Sequence, residues 1–214
     1  SAASDVYKRQ DKEDNIWIGA GNTIYRCNST ASIAREYDIF GSQQNKHTIN
    51  FVYQDREGNM WVLTGGGLFK YDDKSDSFIT YPPLGKNNAP YTMCQDQSGN
   101  YWIGTWGEGL WQFFPQKEGE ECYKRHHIIN SRSGETEPIF YSMTQDNTFG
   151  YLWLLSYNEL YALQYTEEGT LVSVDIHDLV DTHMMYTKIM KDREGNLWLG
   201  SYDCLLYTSP SPRD

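Results

Sequence analysis

The sequence predicts an all-β chain of repeated four-stranded antiparallel sheets, a partial β-propeller of about four to five blades, and three observations carry that reading. First, the heptapeptide Asp55-Arg56-Glu57-Gly58-Asn59-Met60-Trp61 returns as Asp96-Gln97-Ser98-Gly99-Asn100-Tyr101-Trp102 and as Asp192-Arg193-Glu194-Gly195-Asn196-Leu197-Trp198. A looser copy runs from Asp11 to Trp17, with Asp14 in the glycine place, and another from Asp146 to Trp153 with one residue inserted. Second, the anchors Trp17, Trp61, Trp102, Trp153 and Trp198 are 44, 41, 51 and 45 residues apart, the length of a propeller blade. Third, each unit consists of short aromatic or β-branched runs separated by glycine-rich or polar turns. Paired helices of this period would instead show apolar positions every three or four residues.

Taken in order, residues 11–40 predict a partial blade, 44–85, 88–130 and 133–177 three blades, and 183–203 a second partial blade. In the 44–85 unit the four strands are Thr48–Gln54, Met60–Thr64, Leu68–Tyr71 and Ser77–Tyr81, and Pro82-Pro83 end the pairing. The first two are joined by a tight turn in which Gly58 takes positive φ and Asp55 accepts turn amides. Gly99 and Gly195 fill the same slot, and Asp14 suits it because aspartate is among the few other residues that visit that region. With incomplete blades at both ends the ring is expected to be open and prone to aggregation through bare sheet edges. Closure into four blades would demand tighter curvature.

The flanks follow no such logic. Residues 1–10 and 204–214 resemble translated sequencing adapters: GTG TAT AAG AGA CAG encodes Val6 to Gln10, and the complementary strand, read through C TGT CTC TTA TAC AC, encodes Cys204 to Thr208. Both segments are therefore expected to be non-native and to lie outside the repeats.

Composition narrows the class. With 15% aromatic and 22% charged residues the chain is globular rather than disordered. Its formal charge of −11 becomes −12 once the flanks, which carry a net +1, are set aside. That balance disfavours nucleic acid and anionic membrane as partners. Cys27, Cys94 and Cys122 are scattered and odd in number, so no disulfide framework is expected.

The stretch Asp96 to Trp111 reads Asp-x-x-Gly-Asn-x-Trp-Ile-Gly-Thr followed by Gly-x-Gly-Leu and an aromatic run, and it resembles the two-component regulator propeller repeat. Trp198-Leu199-Gly200-Ser201 and Trp17-Ile18-Gly19-Ala20 match its first half, and Gly66-Gly67-Leu68-Phe69 its second. The Asp146 unit departs most, with Leu154-Leu155 for the Ile-Gly pair and Asn158-Glu159-Leu160 for the glycine turn. The resemblance implies the periplasmic sensor of a hybrid two-component protein of Bacteroidetes-type bacteria. It further implies a parent with two seven-bladed propellers, a β-sandwich, an inner-membrane span, a histidine kinase and a DNA-binding regulator, possible dimerisation, and glycan fragments as stimulus.

Loops from strand four to the next strand one share a face with loops between strands two and three, and ligand contacts are expected there. On it fall Trp106, Glu108, Tyr157, Asn158, His47, Asn87, Asn88 and His183. Aromatic plates beside amides and carboxylates supply what sugar rings need, an apolar surface for stacking and directed hydrogen bonds. The competing reading packs these aromatics between blades. His126 and His127 are adjacent, so on a strand they face opposite ways and cannot share a metal; surface placement is expected. Asp72-Asp73-Lys74-Ser75-Asp76 lacks a full calcium-loop ligand set and reads as a solvated turn. No cofactor, metal or catalytic motif is expected, and the partners are an oligosaccharide or small molecule and the remaining blades of the parent. Rival readings are a streptogramin-lyase type enzyme, needing His47, His126 and His183 near one another, and a purely architectural propeller.

Overall fold

The computed structural model describes residues 7–28, 30, 32–41, 47–85, 90–130, 133–146, 148–157, 159–176, 180, 186–192, 194–201 and 207–208. These form two compact units, one running to Tyr91 and including Glu118–Cys122, the other comprising Thr92–Lys117 and the chain from Tyr123 on. Apart from one 3₁₀ turn at Gly119–Cys122, all named elements are strands. Among the described residues no helix is long and apolar enough to cross a membrane.

The first unit holds two antiparallel meanders. One runs β1 (Tyr7–Gln10), β2 (Ile16–Ala20), β3 (Thr23–Cys27) and β4 (Ile33–Tyr37). The other runs β5 (Ile49–Gln54), β6 (Met60–Thr64), β7 (Gly67–Asp72) and β8 (Ser77–Thr80), within one residue of the expected bounds at every end. Trp17 from the first sheet sits among Val52, Met60, Val62, Phe69 and Tyr71 of the second, with its ring 4.8 Å from that of Tyr71. Gly19 permits this approach, since a Cβ there would meet Ile49 Cγ2 at 2.7 Å.

The second unit holds the sheet β9 (Pro90–Gln95), β10 (Tyr101–Thr105), β11 (Leu110–Phe113) and β12 (Tyr123–His126), whose first two residues fall in the first unit. It continues with β13 (Ser142–Gln145), β14 (Leu152–Leu155), β15 (Leu160–Tyr165) and β16 (Leu171–Val174), then β17 (Tyr186–Lys191), β18 (Leu197–Ser201) and β19 (Tyr207–Thr208). Alternation assigns the faces of β14. Leu152 and Leu154 pack with Trp102 and Phe140, while Trp153 and Leu155 pack with Ile189 and Leu199.

Within 11–203 the sheets have three, four, four, four and two strands, as the repeat predicts. The flanks add one strand each, with Tyr7–Gln10 pairing β2 and Tyr207–Thr208 pairing β18. The first sheet thereby has four strands. Edge pairing uses main-chain donors and acceptors, so it is open to sequences that carry no repeat motif.

Two expectations change. His126 is buried at 8% exposure, against Trp102 and with Nε2 3.3 Å from Gln112 Oε1, whereas His127 is exposed. The opposite facing of the pair holds; the surface placement of His126 does not, because one face of β12 is covered. Asp76 is more than a solvated turn residue. Its Oδ1 accepts hydrogen bonds from Tyr37 and Tyr71 hydroxyls, both at 2.7 Å, and its other oxygen pairs with Arg35, which ties β4 to the β7–β8 turn.

Candidate functional site

Each repeat turn is closed by one carboxylate. Asp55 Oδ1 accepts the Asn59 main-chain N–H at 2.7 Å, while Oδ2 accepts the Asn59 side-chain amide and the Trp61 indole N–H, both at 2.8 Å. The indole bond recurs at 2.7 Å from Trp17 to Asp11, 2.9 Å from Trp102 to Asp96, 2.8 Å from Trp153 to Asp146 and 2.8 Å from Trp198 to Asp192. This explains the six-residue spacing of Asp and Trp, seven where a residue is inserted: the turn acid satisfies the donor of an indole that packing hides from water. Asp14 adopts φ of 63° in the slot where Gly58, Gly99 and Gly195 take 96°, 86° and 92°. Trp17, Trp61, Trp102 and Trp153 are buried; Trp198 is half-buried. The five Asp–Trp pairs and three turn glycines are scaffold, and they set the ends of the strands from which the loops project.

At the far end of β10, Thr105 Oγ1 donates to Gly109 O at 2.8 Å and accepts from Glu108 N at 3.0 Å. Gly107 and Gly109 amides both donate to Pro138 O, at 2.9 and 2.8 Å, which seats this turn on the loop entering β13. Only glycine fits at 109, where φ is +78° and a Cβ would lie 2.9 Å from Glu137 O. So held, Trp106 stands 42% exposed with its ring 5.5 Å from that of Tyr157, edge to face, and Tyr157 is 51% exposed. Tyr141 extends the row, 6.2 Å from Tyr157, with its hydroxyl anchored to Tyr186 O at 2.6 Å.

Beneath this rim lies a buried carboxylate. Glu137 Oε2 accepts from Asn130 Nδ2 at 3.1 Å and the Tyr161 hydroxyl at 3.2 Å. Burial pushes the Tyr161 phenol well above its ordinary pKa, and the Glu159 and Glu137 carboxylates push it the same way, so it remains a donor. Such a network ties Asn130 and Glu137 to Tyr161 of β15, next to Pro138, on which the Trp106 turn is seated. Exposed aromatic edges so held can stack an apolar ring face.

Of the expected contact residues the structure therefore brings together Trp106 and Tyr157, and Glu108 sits in the same turn as Trp106. His47 lies in the first unit, its ring against Gly66, where a Cβ would meet Cδ2 at 2.5 Å, and 6.0 Å from Phe40, so packing occupies it. Asn87, Asn88, Asn158 and His183 lie outside the described residues. Tyr141, Glu137, Asn130 and Tyr161 were not foreseen; the signal available was their place in or beside the strand-four to strand-one loop next to Trp106. Among the described residues no three His, Cys, Asp or Glu side chains converge as metal ligands. Cys27, Cys94 and Cys122 are all buried.

The family model of the two component regulator propeller matches residues 84–107 and 181–203. Those two segments are similar to two-component regulator propeller repeats. No protein of curated function matches the sequence. Among solved structures, an extracellular domain assigned to a hybrid two component system of B. thetaiotaomicron aligns at TM-score 0.69 and 21% identity over 98% of this chain. This chain spans 28% of that one. Virginiamycin B lyase from Staphylococcus aureus aligns at 0.69 and 15%, covering 99% of this chain and 72% of the enzyme. A surface component of the type-IX secretion system of Porphyromonas gingivalis aligns at 0.70 and 16%, covering 95% and 32%. At such identities the likeness establishes the propeller fold that regulator propeller repeats build.

Proposed function

We propose that this chain is an extracytoplasmic, non-catalytic sensor segment that recognises glycan fragments at the Trp106–Tyr157 rim. In this reading its parent is anchored in the inner membrane, dimerises, and passes the bound state to a histidine kinase. The regulator propeller repeats and the likeness to extracellular domains of two-component systems support the sensor role. The observation that carries the ligand class is the exposed edge-to-face pair Trp106 and Tyr157 over the Glu137 network. A buried packing role would hide these rings; here about half of each faces solvent.

Calorimetric titration with cello-, xylo-, manno- and chondroitin-derived tetrasaccharides tests the reading. One of them is expected to bind, with Trp106→Ala and Tyr157→Ala each weakening it roughly tenfold at unchanged melting temperature. Failure of all four to bind, or binding indifferent to both variants, would sink it.

A further inference from the structure

At the opposite end of β10 and β14 from that rim, the second unit opens a cleft of about 180 Å³. Its walls are two repeat turns, and it differs from an ordinary turn junction because the fourth repeat carries an extra residue. Asp146 accommodates the insertion by accepting the Thr148, Phe149 and Gly150 amides on Oδ1, at 2.9, 2.6 and 3.2 Å, and the Tyr151 amide on Oδ2. Wrapped this way, the turn pushes Phe149 outward as a half-exposed ring stacked on Tyr151 at 5.4 Å. Tyr165 and the buried Trp102, their rings 5.2 Å apart, also line the cleft.

The remaining lining is neutral and polar. Gln97 Nε2 donates to Asp146 O at 3.3 Å and Gln145 Nε2 to Gly150 O at 3.1 Å, so two amides are fixed by the wall itself. Gln164 and Ser98 reach the cleft from its exposed side. Among the described residues no lysine, arginine or histidine lines it, and the one carboxylate among them, Asp96, is engaged by Asn100 and Trp102. An anion or a cation thus finds no counter-charge among those residues. The volume is below the roughly 300–1,000 Å³ of drug-sized sites, which limits the occupant to a single ring.

We propose that this cleft is a second ligand site, binding one neutral pyranose unit between Phe149 and the Gln97, Gln145 and Gln164 amides. The ring face of the sugar stacks on Phe149 and its hydroxyls exchange hydrogen bonds with the amides and Ser98. The proposal is independent of the rim, since the two sites share no side chain.

Saturation-transfer NMR on the 214-residue chain, with the methyl glycosides of glucose, galactose, mannose and N-acetylglucosamine as probes, provides the test. At least one glycoside is expected to receive saturation at its ring protons. Phe149→Ala should weaken binding roughly tenfold and Gln164→Ala severalfold. Gln164 is exposed, so its variant carries the test even where Phe149→Ala lowers the melting temperature. Absence of transfer to all four glycosides overturns the proposal. So does transfer that survives the double variant, or transfer seen instead to a capped neutral tripeptide. Loss of binding in Trp106→Ala alone would remove the cleft and leave the rim standing, and loss in the Phe149 and Gln164 variants alone would support the cleft without supporting the rim.

Discussion

Asp96→Ala removes the acceptor of three hydrogen bonds, from Asn100 N at 2.8 Å, Asn100 Nδ2 at 2.9 Å and Trp102 Nε1 at 2.9 Å. The three donors do not suffer equally. Asn100 is half-buried and regains water, but Trp102 is fully buried, so its indole N–H is stranded at a cost of about 1–3 kcal/mol. Adding the lost charge-assisted bonds to the turn gives about 3–5 kcal/mol, a large share of the roughly 5–15 kcal/mol that holds a domain together. Asp192→Ala breaks the same bonds around Trp198, which is half-buried, so water replaces them and the loss is smaller. Urea unfolding followed by far-ultraviolet circular dichroism measures both variants against the parent chain. An Asp96→Ala cost below about 1 kcal/mol, or one no greater than that of Asp192→Ala, would refute the view that the acid exists to satisfy a hidden indole.

Three other outcomes follow from the same coordinates. Burial first, with Lys124 and His127 adding to it, depresses His126 from 6.5 to about 4, so between those pH values the unfolded chain binds a proton that the folded chain does not. Stability should therefore fall as pH drops from 6.5 to 4, by up to about 3 kcal/mol, and His126→Gln should flatten that slope in pH-dependent urea melts. Gly104→Ala places a Cβ 2.7 Å from Phe140 O and should cost about 1–3 kcal/mol, whereas at Gly200 the nearest atom is 3.7 Å away and alanine should be tolerated, as thermal melts will register. The Asp192 carboxyl is held at about 2 by the Trp198 indole and then by Asn196; carbon-detected NMR titration of Trp198→Phe should find it raised toward 3.8.

The strands were legible because each repeat writes them with local chemistry. Gly58, Gly99 and Gly195 mark the turns, and β5 to β8 fell within a residue of their expected bounds because alternation and turn residues act over short range. The aromatic pair at Trp106 and Tyr157 was likewise foreseen, since meander topology dictates which loops share a face. Contacts between sheets were harder to see. Nothing in one repeat announces that Asp76 will meet Tyr37, 39 residues earlier, or that Glu137 will sit under Tyr161. The Asp and Trp positions were recognised as anchors, yet their mutual hydrogen bond required knowing that the indole edge curls back over its own turn. The residue inserted after Asp146 shows in the sequence only as a longer Asp-to-Trp spacing, which does not reveal the half-exposed Phe149 ring and the cleft beside it.

Hydrogen exchange at the indole N–H groups of the tryptophan-labelled chain tests the repeat geometry most directly. Trp17, Trp61, Trp102 and Trp153 should exchange at least about a hundredfold more slowly than the exposed Trp106, because a bonded, buried donor exchanges only when its sheet opens. Any of those four exchanging as fast as Trp106 would contradict an architecture in which turn aspartates clasp tryptophans wedged between neighbouring sheets.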